Sequence, residues 1–410
     1  MTPPTPVAAV PDPPDLPDPA DRPDPPDRPR PGPPPAPAPA TDATAPTTAA
    51  AAGPIVAVEA TMPVPSAAFT IADPAIVHGY RPLAPGEPAA PGDVIVGEVV
   101  AVGEHTEIQN RNGRAHQLGP GQRGLFVFGN RYATDAFEAL VPAVIPDEVD
   151  LVAKGGMVAV VNSANARVHT PTRVRVLGRA VDADHRPLST LDQPIVAPRR
   201  GPKTEPRARL VLVVGTSMNA GKSTTAVAIA RALTQAGHRV KGSKVTGTAS
   251  LKEILHLEDA GACAVNDFTH LGHPSTHRLD ADEVIGVFDA LDHAIANRSD
   301  VYWVAELADG IEQRETAILL SSLAVTRRIH TLVFCAREPL GVRGGIDVLD
   351  DRYGLAPDLI AGLVGGAPLG QEEIRATGID LPVINALDPD DYPLLVEVIT
   401  RPPVTRQAAS

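Results

Sequence analysis

The stretch RLVLVVGTSMNAGKSTTAVAIARALTQAGHRV, Arg209 to Val240, decides how the rest of the chain is read. Leu210–Val214 is an unbroken apolar run, as expected of a strand buried on both faces of a parallel sheet. Small residues follow from Gly215 to Gly221. Lys222, Ser223 and Thr224 then open a helix. Ala226, Ile229, Ala230 and Leu233 recur along it at helical spacing, and Gly237 stands where a C-cap belongs.

Strand, small-residue turn, Lys-Ser and helix, in that order, are the layout of a phosphate-binding P-loop. Backbone N–H groups can converge on a phosphate only where side chains stay out of the way, hence Ala220 and Gly221. The helix N-terminus adds partial positive charge. The expected binding set is Gly215, Thr216, Ser217, Asn219, Ala220, Gly221, Lys222, Ser223 and Thr224. Lys222 is expected to reach the β- and γ-phosphates, and the Ser223 hydroxyl to bind Mg²⁺. The usual pattern, G-x-x-x-x-G-K-[ST], puts its first glycine at position 216, which is Thr216; the glycine is one residue earlier, at Gly215.

Strands and helices alternate from 207 to 401, which predicts an α/β domain with a mostly parallel sheet covered on both faces. Strands are expected at 238–245, 301–306, 331–336, 359–364 and 382–386, with helices at 252–259, 282–297, 312–327 and 392–400. Ligands of such sheets sit beyond the strands' carboxyl ends. Lys244, Val245, Thr246, Gly247 and Thr248 follow one strand. Glu306 ends another and suits the carboxylate that holds Mg²⁺, with Asp309 as the alternative. Asp267 follows a short apolar run and is a further metal candidate, ahead of Asp259. A zinc site among His270, His273 and His277 is the lesser reading, because their spacing is irregular and no cysteine pair accompanies them. Arg337 and Arg343, in a loop made mobile by Gly341, Gly344 and Gly345, suit an anionic substrate.

Upstream, residues 54–191 read as a small all-β, barrel-like domain, with short strands at 94–102, 107–109, 125–128, 139–144, 157–161 and 172–180. Asn112-Gly113 signals a type I′ hairpin. Arg131, Tyr132 and Asp135, in one polar loop, are read as tying that loop to the domain's rim, with lining a site as the alternative. Residues 192–206 read as a linker and 402–410 as a tail. Residues 1–53 are low-complexity: nineteen of the 45 prolines fall in the first fifty residues, so disorder with polyproline character is expected there.

The net charge of -13 argues against nucleic acid or an anionic membrane as partner. Two cysteines without metal or redox spacing, Cys263 and Cys335, fit a reducing cytoplasm. With 43% hydrophobic but only 3% aromatic residues, the core must be aliphatic. No run suits a membrane span and the start shows no signal peptide. The expected partners are a small, anionic molecule and, for assembly, a second copy of the chain in a homodimer.

The loop G-T-S-M-N-A-G-K-S-T, with Lys244–Gly247 and Glu306, resembles the dethiobiotin synthetase and cobyrinic acid amide synthase branch of P-loop proteins. It lacks the early loop lysine of the septum-site and nitrogenase-type ATPases. The resemblance implies ATP and Mg²⁺ as cofactors, with Lys222, Lys244 and Glu306 acting in catalysis and Ser223 and Glu306 on the metal; Arg343 joins the catalytic set and Asp267 the metal set on their own sequence context. It points to a ligase or kinase that phosphorylates a small carboxylate or an amine-derived carbamate. The P-loop region also resembles a family that includes D-glutamate N-acetyltransferases, which implies an alternative: an acetyl-CoA-dependent acyltransferase whose loop holds coenzyme A phosphates. A nucleotide switch without catalysis is the third reading.

Overall fold

The computed structural model describes residues 54–58, 63–71, 73–197 and 207–402. The proline-rich tail expected at 1–53, most of the linker's second half (198–206) and residues 403–410 lie outside the described residues. All the described residues belong to one compact unit.

Its first part is a mainly antiparallel sheet of β1 (Val56–Ala57), β2 (Gly79–Arg81), β3 (Val94–Ala101), β6 (Arg123–Phe128), β7 (Phe137–Leu140), β8 (Glu148–Ala153), β9 (Met157–Ala164) and β10 (Thr172–Val181), with β4 (Glu107–Gln109) and β5 (Ala115–Gln117) as a separate hairpin. The pairing β10–β3–β6–β9–β8 returns to β10, and β6–β9 is its one parallel step. Strand β8 escapes the sequence pattern because Asp150 interrupts it. That carboxylate is buried, accepting from Arg173 at 2.6 Å and from the Val161 N–H at 2.9 Å. The β4–β5 hairpin is not type I′. Only Gly113 takes a left-handed φ, of 83°, while Asn110 Oδ1 accepts from the Asn112 and Arg114 N–H groups and closes a longer turn.

The second part is a six-stranded, wholly parallel sheet of β11 (Arg209–Gly215), β12 (Arg239–Lys244), β13 (Val265–Asp267), β14 (Val301–Glu306), β15 (Ile329–Cys335) and β16 (Leu359–Ala361), in the order β13-β12-β14-β11-β15-β16. The helices are α1 (Lys222–Gln235), α2 (Leu251–Asp259), α3 (Ala281–Ile295), α4 (Arg314–Ser321), α5 (Leu323–Thr326), α6 (Pro339–Tyr353), α7 (Pro368–Ala376) and α8 (Tyr392–Thr400). Alternate residues of β11 feed separate cores: Leu210, Leu212 and Val214 join one, Val211 and Val213 the other. That two-sided burial is why the strand reads as a continuous apolar run. Among the described residues no helix is long and apolar enough to cross a membrane.

Several expectations need correction. Residues 382–386 do not form a strand. Ile360 donates to Pro382 O and accepts from Ile384, but Pro382 has no N–H, and the Asn385 N–H turns away to Asp391 at 2.7 Å. The helix expected at 312–327 is split by Ser322, whose backbone is extended. Residues 337–345 are not a mobile loop. Glu338 N-caps α6 by accepting from the Gly341 N–H, Pro339 occupies its first turn, and Gly354 ends it in the left-handed region.

The glycines that suggested mobility differ from one another. A Cβ on Gly345 would lie 2.1 Å from the Phe334 ring, so this glycine lets α6 approach the sheet; one on Gly344 would meet nothing within 4 Å. Gly345→Ala is therefore expected to destabilise by about 1–3 kcal/mol through overpacking. Gly344→Ala should stabilise by up to roughly 1 kcal/mol, the helix propensity gained. Thermal unfolding of both variants checks the pair; opposite shifts in Tm are the expected result.

Candidate active site

The carboxyl ends of β11, β12 and β14 bring the site together. Along the sheet Lys244 is paired with Glu306, and Val213, two residues before the loop, with the same Glu306. The loop leaves β11 at Gly215, where a Cβ would lie 2.6 Å from Cys335 O. The Thr216 N–H donates to that same carbonyl at 2.9 Å. Asn219 and Gly221 take left-handed φ values of 60° and 96°. At Gly221 a Cβ would meet Gly362 Cα at 2.8 Å, and Leu363 N–H donates to Ala220 O at 3.2 Å, so the turn after β16 braces the loop from behind. Lys222, Ser223 and Thr224 form the first turn of α1, whose N–H groups have no partner within the helix.

Asn219, Gly221, Lys222, Ser223 and Thr224 line a cleft of about 610 Å³, together with Lys244, Glu306 and Asp309. Gly215, Thr216, Ser217 and Ala220, expected in the same set, do not line it. They shape the loop instead: Lys222 Nζ donates to Ser217 O at 2.7 Å. Burial draws the Lys222 pKa down and Glu306 acts against that. The Ser223 hydroxyl donates to Glu306 Oε1 at 3.0 Å, which distinguishes Glu306 from Asp309 as the loop's partner carboxylate. Lys244 is buried and ion-paired to Glu253 on α2; burial lowers its pKa, against Glu306 and Asp309. A Cβ on Gly247 would fall 2.9 Å from Lys244 Cε, so glycine there makes room for the lysine. Asp309 has a left-handed φ of 61°, unusual for a side-chain-bearing residue. Burial raises its pKa, while Lys222 and Lys244 pull it down.

Two expected site residues are elsewhere. Asp267 N-caps the short turn Phe268–Leu271, its Oδ1 accepting from the Thr269 N–H at 2.9 Å and facing His270 Nδ1 at 3.1 Å, and it does not line the cleft. Arg343 is exposed on α6, outside the cleft; Arg337 is exposed as well. Among the described residues no cluster of three or more His, Cys, Asp or Glu could hold a metal, which removes the zinc reading.

The β-rich part supplies the opposite wall: Glu104, His105, Arg131, Tyr132 and Lys154 line the same cleft. Asp135 Oδ2 accepts from Asn219 Nδ2 at 2.7 Å, directly linking the polar loop to the P-loop. Thus Tyr132 lines the cleft, Arg131 both lines it and ties the loop to the β-rich part through Val152 O, and Asp135 is a tie to the P-loop rather than to the domain's rim. Glu104, His105, Lys154 and Glu253 belong to no sequence motif; only the fold brings them here.

His105 is 6% exposed, and burial, reinforced by Arg131, lowers its pKa to about 4. Its folded pKa lies below its unfolded value of 6.5, so the native state resists protonation. This contribution to stability is complete above pH 6.5 and is lost as pH falls from 6.5 toward 4. The loss is at most roughly 3 kcal/mol. His105→Gln should flatten the stability-versus-pH curve in that window, as measured by denaturant unfolding.

Fold and loop geometry together define a P-loop NTPase-type, nucleotide-binding domain. Consistently, residues 198–253 match the P-loop domain of a family described as a domain of unknown function (DUF1611_C). No curated protein matches the chain in sequence. Similar solved structures include a nucleotide-binding protein from Archaeoglobus fulgidus in complex with ADP (13% identity, TM-score 0.30, covering 47% of this chain and 85% of that one). Two others are the signal recognition particle receptor FtsY of Elizabethkingia anophelis (15%, 0.30, 48% and 67%) and chloroplast FtsY of Physcomitrella patens (12%, 0.31, 52% and 71%). TM-scores this low bear on neither mechanism nor substrate.

Proposed function

We propose that the chain is an ATP- and Mg²⁺-dependent enzyme, a ligase or kinase, that transfers a phosphoryl group to a small anionic acceptor. The observation that supports this best is the Ser223–Glu306 hydrogen bond at the mouth of the P-loop. A hydroxyl and a carboxylate oxygen side by side are hard donors, and Mg²⁺ takes one or two such protein ligands and completes its shell with phosphate and water. Ser223 and Glu306 would hold the ion, which when bound neutralises charge on the transferred group.

The remaining work falls to the chain's own side chains. Lys222, its ammonium now on Ser217 O, exchanges that carbonyl for the β- and γ-phosphate oxygens. Lys244, fixed by Glu253, places a second cation beside the transferred group. Asp309, held in a strained backbone and made more basic by burial, is suited to take a proton from an acceptor that carries one. The β-rich part, read as a barrel-like domain, forms the wall of the cleft opposite the P-loop. The enzyme is expected to act in the cytoplasm, and a homodimer is its expected assembly.

Phosphate or ADP release from MgATP, measured across a panel of small carboxylic acids and amino acids, tests the reading. Acceptor-dependent release is the expected outcome. Slow release indifferent to every acceptor would favour a nucleotide switch.

A further inference from the structure

Arg131 occupies an unusual position for a half-buried cation whose Nε is shut off from water. Its backbone is pinned on both sides, donating to and accepting from Ala139 at 2.8 and 3.0 Å. Its Nη1 donates to Val152 O and lies 3.3 Å from His105 Nε2. Among the described residues no carboxylate is ion-paired with it, and its Nε is buried without a hydrogen-bond partner. Arg207 and Arg328 are neutralised by Asp292, and Arg179 by Glu87 and Asp93; half-buried Arg111, also without an ion pair, lies over the Phe69 ring instead. His105, held neutral, orients the guanidinium without cancelling its charge. Asp309 and Glu104 act on Arg131 only through space. A guanidinium partly withdrawn from water and without an ion pair is costly unless a ligand brings the opposite charge.

We propose that Arg131 is the centre of a second anion-binding site, on the cleft wall opposite the P-loop, which takes a further anionic group of the ligands: a carboxylate of the acceptor or an additional phosphate. It rests on the reading of the P-loop as the nucleotide site. Lys154, exposed on the same wall, is ion-paired with Glu107 at 3.0 Å, which leaves Arg131 as the cation without a carboxylate partner there. Guanidinium recognition of carboxylate or phosphate is planar and charge-assisted.

The test is isothermal titration of the full chain, as wild type, Arg131→Gln and His105→Glu. The second variant keeps Arg131 and places a carboxylate beside it. In one arm, protein saturated with MgADP is titrated with succinate, a probe for an acceptor carboxylate. In the other, coenzyme A is compared with dephospho-coenzyme A, which lacks one phosphate. In at least one arm the wild type should respond, and both variants should lose roughly 10- to 100-fold in that response, as for a charge-assisted hydrogen bond. MgADP affinity should stay within about 2-fold, showing that fold and P-loop are intact. The responding arm identifies which ligand carries the anion. A wild type that neither binds succinate nor discriminates the coenzymes would overturn the proposal, as would a response unchanged in either variant that keeps its MgADP affinity. A wild type that responds but does not bind MgADP would instead refute the nucleotide reading and leave the anion site standing.

Discussion

Lys222→Ala should lower turnover by roughly 10²–10³-fold or more, the usual cost of deleting one preorganised charge-stabilising group. Nucleotide affinity should fall with it, since the same ammonium serves the bound and the transferred phosphates. The fold should survive. Lys222 is buried at a cost, its pKa is drawn down, and its hydrogen bond is to a loop carbonyl rather than to the core. Steady-state kinetics with nucleotide titration and thermal unfolding read both effects. Wild-type turnover in the variant would remove the loop from the mechanism.

Glu306→Gln is expected to separate binding from chemistry. Glutamine keeps the volume, and its amide oxygen can still accept from Ser223. What is lost is the charge that would hold Mg²⁺. Turnover should drop by roughly 10²–10⁴-fold while nucleotide continues to bind through the loop and Lys222. Asp309→Asn should leave the Mg²⁺ dependence intact, because Asp309 makes no hydrogen bond to Ser223, the loop's hydroxyl. A Glu306→Gln enzyme with normal turnover would show that the Ser223–Glu306 pair is a packing contact.

The P-loop was legible because it is local: one apolar strand, small residues where backbones crowd and a helix opened by Lys-Ser all fall within one stretch. Glu306 was legible for the same reason, as the last residue of an apolar run. Asp267 also ends such a run, yet three residues later His270 completes a capping arrangement, and the carboxylate is consumed locally. Arg343 was misplaced because Gly341, Gly344 and Gly345 resemble loop residues. Glu338 and Pro339 carried the contrary signal of a helix start. The opposite wall of the cleft was the least legible. Its His105, Arg131 and Lys154 come from separate stretches that the β-rich part folds together, and they face the P-loop because the two parts pack, as where a Cβ on Gly155 would lie 2.6 Å from Ala249 O.

The most direct test of phosphoryl transfer follows the γ-phosphate itself. The full chain, incubated with γ-labelled ATP, Mg²⁺ and a panel of small acids, should pass label to inorganic phosphate or to the acceptor, and EDTA should stop it. Release of free thiol from acetyl-CoA in the presence of EDTA, with no nucleotide consumed, would contradict the account and make the loop a holder of coenzyme phosphates.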